Sequence, residues 1–404
     1  MIVPPDMALS APGGRTLRIL LVIYAYPPVM GGSEIEAQRV ASALMRRGHK
    51  VQVLCTGGPE MPPVRDWVDP TGVSVRILTK RSAGRTRDRI FALRVALEIW
   101  RMRHDYDVVY FLMQGLHLAS GLPVARFAAK PAVVKISGSG IIPVMRQTSM
   151  GRRELNWLQR WKIPLMVLNE GMMDEARQAG FAREQLIWMP NPVDIDEFRP
   201  ALRGEAAAWR ERHGIGAAVK VGIYVGRLSH EKGLPALIQG FTHAARSMPD
   251  ALLLLVGDGP MRGELEEMVR NRGANRERIR FVGRVTAGDV SGWLRASDVY
   301  ALTSPNEGFP CALLEAMATG LPSIVSDIPA NLQLVDDGVH GMTVPFDSET
   351  AIASAFEKLL GDPETRRRMG ASARKRVVEN YSTDKVAARY ERMFESVLQM
   401  KAQP

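Results

Sequence analysis

Two series of strand-length apolar runs, parted by a proline-rich break, constrain this chain more than any other feature. The first comprises residues 18–24, 51–55, 73–78, 108–112, 132–136 and 165–168, with helical patterns between them. The second comprises residues 221–225, 252–256, 280–282, 299–302, 323–325 and 342–344. Strands covered by helices on both faces read as continuous apolar runs, so each series predicts a parallel, doubly wound α/β sheet. The break at 189–200 carries Pro190, Pro192 and Pro200 and reads as an inter-domain linker. The expected organisation is a flexible lead-in (1–16), an N-terminal Rossmann-like domain (17–190), a linker (191–200), a C-terminal Rossmann-like domain (201–382) and a final helix (383–404). Two such halves imply a cleft at strand C-termini, where ligands bind.

With 404 residues, 46% hydrophobic and 24% charged, the chain has the make-up of an ordinary globular protein. Cys55 and Cys311 lack metal-ligand spacing and read as small buried hydrophobes in a reducing compartment. No apolar run is long enough to span a bilayer, and residues 1–15 lack the pattern of a signal peptide. A cytoplasmic location is expected. The net charge of +10 suits nucleic acid, an anionic membrane face or a phosphate-bearing substrate. No groove-reading or base-stacking module accompanies it, so nucleic acid is set aside.

Four loops at strand ends carry the candidate chemistry. Gly31-Gly32 precedes the first helix. It reads either as a plain turn or as a close backbone approach to a phosphate, and no Gly-Lys-Ser/Thr follows to make a Walker loop. Gly226-Arg227-Leu228-Ser229-His230-Glu231-Lys232-Gly233 sets two cations at a strand-to-helix junction. Arg227 and Lys232 make a better diphosphate clamp than solvated face, while His230 and Glu231 read as solvent-exposed. In Gly257-Asp258-Gly259-Pro260, Gly263 comes one residue late for a dinucleotide fingerprint. The next strand ends in Gly283-Arg284 rather than in a ribose-holding acid, which argues against an oxidoreductase.

The fourth loop runs from Ser304 into a helix that Pro310 is expected to open and Gly320 to close. Glu307 lies before the helix, and Glu315 lies within it among apolar neighbours, where a carboxylate calls for a partner or ligand. A phosphate clamp with two hydroxyl-binding acids points to a nucleotide sugar.

Glu307 and Glu315, within Glu-Gly-Phe-Pro and Leu-Leu-Glu-Ala wording, resemble the E-x7-E arrangement of family 4 retaining glycosyltransferases of the GT-B fold. Pro27-Pro28 with Gly31-Gly32-Ser33-Glu34, Gly48-His49-Lys50-Val51, Asn191-Pro192-Val193-Asp194 and Asp336-Asp337-Gly338 match the same family in order. The resemblance implies two Rossmann-like domains facing each other across a cleft, with the final helix crossing back to the first. It implies that Arg227 and Lys232 bind the donor diphosphate and stabilise it as leaving group. Glu307 and the amides of Gly308, Phe309 and Pro310 would hold the sugar, and Glu315 the ribose. Gly31, Gly32, Gly226, Gly257 and Leu314 would complete the donor site, with Gly283 beside the base. No metal or other cofactor is expected. The donor would be a UDP-, GDP- or ADP-sugar, and the acceptor a glycan or lipid-linked hydroxyl in cell-surface polysaccharide or glycolipid synthesis. A nucleotide-sugar-binding protein without transferase activity is the alternative.

The chain departs from the family on the acceptor side. Residues 110–114 and 137–140 lack the histidines many relatives carry there. Gln114 and His117 are the nearest substitutes, though each reads rather as an ordinary helix-start residue. Asp194-Ile195-Asp196 mimics a metal-binding D-x-D but falls in the linker. Residues 80–103 hold Lys80, Arg81, Arg85, Arg87, Arg89, Arg94, Arg101 and Arg103, with Ile90, Leu93, Leu97 and Trp100 at helical spacing. This is either a helix packed on the sheet with a solvated basic face, or a basic amphipathic surface resting on an anionic membrane leaflet.

Overall fold

A computed structural model describes residues 15–28, 31–58, 61–79, 85–271 and 277–402; the expected lead-in falls almost wholly outside them. The chain forms two compact units.

The chain's first sheet has eight strands, β1 (Arg18–Val22), β2 (Lys50–Cys55), β3 (Asp66–Val68), β4 (Ser74–Ile77), β5 (Val108–Leu112), β6 (Ala132–Lys135), β7 (Leu165–Val167) and β8 (Leu186–Trp188). Their order is β3-β4-β2-β1-β5-β6-β7-β8, and β3 alone is shown antiparallel to its neighbour. The helices along this part are α1 (Gly32–Arg46), α2 (Arg85–Arg101), α3 (Leu116–Phe127), α4 (Ile141–Gln147), α5 (Ser149–Arg160) and α6 (Glu170–Gln178). Apart from edge strand β3, the order reverses between β1 and β5, and the loops after those strands flank this switch point. In the first unit Glu36 of α1 and Lys135 of β6 form an ion pair, 4% and 2% exposed. Tyr390 adds a hydroxyl donated to Glu36 Oε1 at 3.0 Å, which supplies the partners that buried charges require.

The second sheet comprises β9 (Lys220–Val225), β10 (Ala251–Val256), β11 (Ile279–Gly283), β12 (Val299–Leu302), β13 (Ser323–Ser326) and β14 (Gly341–Val344). It is parallel, in the order β11-β10-β9-β12-β13-β14. Its switch point lies between β9 and β12. The helices are α7 (Glu205–Arg212), α8 (Leu234–Ala244), α9 (Arg262–Arg270), α10 (Ala287–Arg295), α11 (Cys311–Ala318), α12 (Pro329–Leu332), α13 (Glu349–Gly361), α14 (Pro363–Asn380) and α15 (Thr383–Ala402).

The division into units differs from the one expected at the proline-rich stretch. Ser137–Val144 and all of Val167–Val386, the stretch 191–200 included, group with the second unit. Val193 bonds within that unit to Tyr381 and Thr383, so this stretch is docked rather than hung as a free linker. Helix α15 starts in the second unit, and from Ala387 onward it groups with the first.

Candidate functional site

The second unit gathers most of the expected donor-site residues at its switch point. Tyr224 donates its hydroxyl to the carbonyl of Arg227 at 2.9 Å, closing the turn after β9. Three glycines then meet backbone to backbone. Gly226 N–H donates to Val256 O at 3.0 Å, and Gly257 N–H donates to Gly283 O at 2.9 Å. A Cβ on Gly257 would collide with the carbonyl of Gly226. Three strand ends can approach this closely only without side chains.

A short 3-10 turn, His230–Lys232, follows. Gly233 closes it at φ 64°, pressed so tightly on the Thr303 carbonyl that a Cβ would collide with it. Thr303 Oγ1 donates back to Gly233 O at 3.2 Å. This contact between the segments that follow β9 and β12 sets Lys232 over the loop that carries Glu307. Lys232 Nζ lies 2.7 Å from Glu307 Oε1, and the carboxylate is 10% exposed. Arg227 is exposed, as are His230 and Glu231.

The loop bearing Glu307 is held along its backbone. Ser326 Oγ donates to Ser304 O, Ser139 Oγ to Glu307 O at 3.0 Å, and Asn169 Nδ2 to Gly308 O at 2.6 Å. Asn169 also caps α6, accepting from Met172 N–H at 2.8 Å. Neither Ser139 nor Asn169 stood out in the sequence. The N-cap position of Asn169 was the one local signal, and it says nothing of a partner 139 residues away.

Pro310 is the N-cap, at φ −79° and ψ 88°, and the helix begins at Cys311, one residue later than expected. Phe309 and Leu314 are buried. Glu315 is half-buried, in contrast to its fully buried neighbours Leu314 and Ala316, so α11 is not apolar on every side. The first-turn amides of such a helix lack intrahelical partners and favour an anion. Asp194 Oδ1 accepts from the backbone of Asp196 and Glu197, each at 3.0 Å. The metal-like D-x-D is therefore a local turn.

In the first unit, Gly31 is the extended N-cap of α1, which begins at Gly32. The Glu34 carboxylate folds over Gly31, and burial pushes its pKa up. The turn after β5 places Met113 at φ 83° and Gly115 at φ 136°. Strained backbone of this kind is concentrated at functional sites. His117 packs on Phe91 at 5.6 Å, and burial pulls its pKa down to about 4; it is a core ring. Gln114 is half-buried, with Oε1 lacking a partner. Glu154 of α5 accepts from the Gly115 amide, while burial pushes its pKa up to about 7.

Lys80, Arg81 and the side chain of Arg85 lie outside the described residues. Helix α2 buries Phe91, Val95 and Ile99 and leaves Ile90, Leu93, Leu97 and Trp100 exposed at 41%, 62%, 58% and 41%. The apolar stripe read from spacing therefore faces outward. Arg101 is paired with Glu98 at 2.7 Å, whereas Arg89 and Arg94 are exposed. No described helix is long and apolar enough to cross a membrane.

Residues 31–192 match the model of the glycosyl transferase 4-like domain, and residues 205–376 match that of glycosyl transferases group 1. An alpha-D-kanosaminyltransferase of Streptomyces kanamyceticus is 27% identical over 64% of this chain and 69% of its own. A phosphatidyl-myo-inositol mannosyltransferase of Mycobacterium leprae is 27% identical over 91% of this chain and 94% of its own. The crystal structure of Anabaena Alr3699/HepE in complex with UDP and glucose superposes with a TM-score of 0.78 at 20% identity. That match covers 94% of this chain and 100% of the other.

Proposed function

The chain belongs to the family 4-type glycosyltransferases of the GT-B fold, and from that premise we propose that it moves a sugar, with retention, from a nucleoside-diphosphate donor to a hydroxyl of a glycan or lipid-linked acceptor. The observation that carries this reading is the Lys232–Glu307 pair at the switch point of the second sheet. Lys232 and Arg227 take the diphosphate, whose negative charge grows as the sugar departs. Preorganised cations and helix amides aimed at that charge lower the barrier without a metal. Glu307 then exchanges its lysine for hydroxyls of the donor sugar. Glu315 takes the ribose hydroxyls, and the glycine-lined strand ends receive the nucleotide.

In the front-face step, the bond from the anomeric carbon to the diphosphate breaks as the acceptor oxygen bonds to the same face. The departing phosphate oxygen takes the acceptor proton. The first unit receives the acceptor.

The acceptor is lipid-linked in this reading, and α2 rests on an anionic leaflet of the cell membrane, on its cytoplasmic side, with Leu93 and Leu97 inserted. An exposed apolar stripe among exposed arginines supports this. So does the name of the Mycobacterium leprae relative, which places phosphatidyl-myo-inositol as its substrate. A role in cell-surface glycolipid or polysaccharide synthesis follows.

Thermal-shift measurement with UDP-, GDP- and ADP-glucose tests the donor half. One nucleotide series should raise the melting temperature, and its sugar should be consumed when an acceptor is supplied. Failure of all three to stabilise the protein would overturn the donor site.

A further inference from the structure

Next to the α2 stripe, the first unit carries an alternating line of cations and aromatic rings across three helices. On α5 and just past its end, Trp157 and Trp161 stack at 5.4 Å with their planes 6° apart. Arg153 lies 5.9 Å from the first ring, and Arg126 of α3 lies 5.5 Å from the second. Phe127, next to Arg126 and 81% exposed, sits 5.5 Å from Trp100 of α2. Arg103 covers Trp100 at 4.4 Å. The line therefore runs Arg153, Trp157, Trp161, Arg126, Phe127, Trp100, Arg103.

Among the described residues none of these three arginines forms an ion pair, whereas Arg76 and Arg101 are both held by Glu98. Guanidiniums stacked on indoles are fixed in place with their charge unspent. Three of the chain's seven tryptophans fall in this line, so it is not the scatter of single apolar residues normal on a surface. Tryptophan and arginine together suit the headgroup layer of a bilayer, where an amphipathic ring and a phosphate are both at hand. A glycan would need a free ring face, and each of the two stacked indoles already has an indole and a guanidinium as neighbours.

We infer that the line from Arg153 to Arg103 is a second membrane contact, continuous with α2, which takes the phosphates of anionic lipid headgroups. It rests on the reading of α2 as a membrane face. It makes that face a surface several helices wide, which fixes the first unit's orientation on the leaflet where a single helix would let it roll.

The test is co-sedimentation of the full chain with vesicles of equal parts phosphatidylcholine and phosphatidylglycerol at low salt. R126Q/R153Q, at two exposed positions, should weaken partitioning by roughly ten- to thirty-fold, from about one kcal/mol per basic residue at an anionic surface. W157F/W161F, which keeps two rings, should lose part of the fluorescence quenching by bromine-labelled lipid. If wild type ignores the vesicles, the α2 reading and this inference both fall. If L93Q/L97Q abolishes binding while R126Q/R153Q binds like wild type, the α2 reading stands and this inference is overturned. Loss of maltoheptaose binding in R126Q/R153Q, with vesicle binding intact, would make the line a glycan platform and also overturn it.

Discussion

Lys232 and Glu307, 75 residues apart, form an ion pair of 2.7 Å at the point where the second sheet reverses its strand order. The pair holds together the two groups assigned to opposite ends of the donor, the diphosphate and the sugar. A diphosphate entering the site must compete with the Glu307 carboxylate for the lysine.

Glu307→Ala is therefore expected to act in opposite directions on binding and turnover. Removing the carboxylate frees Lys232, and UDP should bind several-fold more tightly by calorimetry. Turnover should fall by about 10²–10³, the usual effect of losing one aligned electrostatic group. Weaker UDP binding in this variant would mean that the pair is not opened by the diphosphate.

Asn169 has two separable tasks, capping α6 through Oδ1 and holding Gly308 O through Nδ2. Asn169→Asp keeps the capping oxygen but sets a buried carboxylate oxygen against the Gly308 carbonyl, so the melting temperature should fall and the donor KM should rise. Asn169→Ala should do both, with about 1 kcal/mol of stability lost with the cap. Equal donor KM values for N169D and wild type would show that the loop holds itself.

Gly257 leaves no room for a Cβ beside the Gly226 carbonyl, and its φ is 135°. Gly257→Ala should cost about 1–3 kcal/mol and weaken nucleotide binding. Gly263→Ala, where the space is open, should do neither. Denaturant midpoints of the two variants decide this.

The turn after β5 gives an opposing pair of pH effects. The Glu154 carboxyl, raised from 4.5 to about 7 by burial, keeps a proton that the unfolded chain releases. Its contribution to stability falls as the pH rises through that window. The His117 ring, lowered from 6.5 to about 4 by burial, excludes a proton that the unfolded chain binds. Its contribution rises with pH between those values. The slopes largely cancel in the wild type. Glu154→Gln should gain stability over wild type as the pH rises from 4.5 to 7, by at most about 3 kcal/mol. Urea unfolding across that range measures the difference, and a pH-independent difference would rule out a buried neutral Glu154.

Strand and helix positions were legible because burial on both faces leaves an apolar run whatever its partners are. Residues 299–302 and 108–112 were both placed to the residue as observed. Strands β3 and β8 were not legible, since each is three residues long and none of their residues is fully buried. Helix α2 was legible as amphipathic but not in its orientation. Phe91, Val95 and Ile99 compete with Ile90, Leu93 and Leu97 for the sheet, and only packing shows which stripe is covered.

Glycine after a strand and a carboxylate before a helix are local chemistry, so the doubly wound halves could be read from the sequence, and Arg227, Lys232, Glu307 and Glu315 stood out in it as donor-site candidates. Only the folded chain shows that Thr303 locks Gly233, that Lys232 meets Glu307, and that Ser139 and Asn169 hold the loop carrying Glu307. Those contacts join positions 70 to 168 residues apart. No local pattern encodes them, because they exist only where the sheet and the segments packed on it bring distant loop ends together.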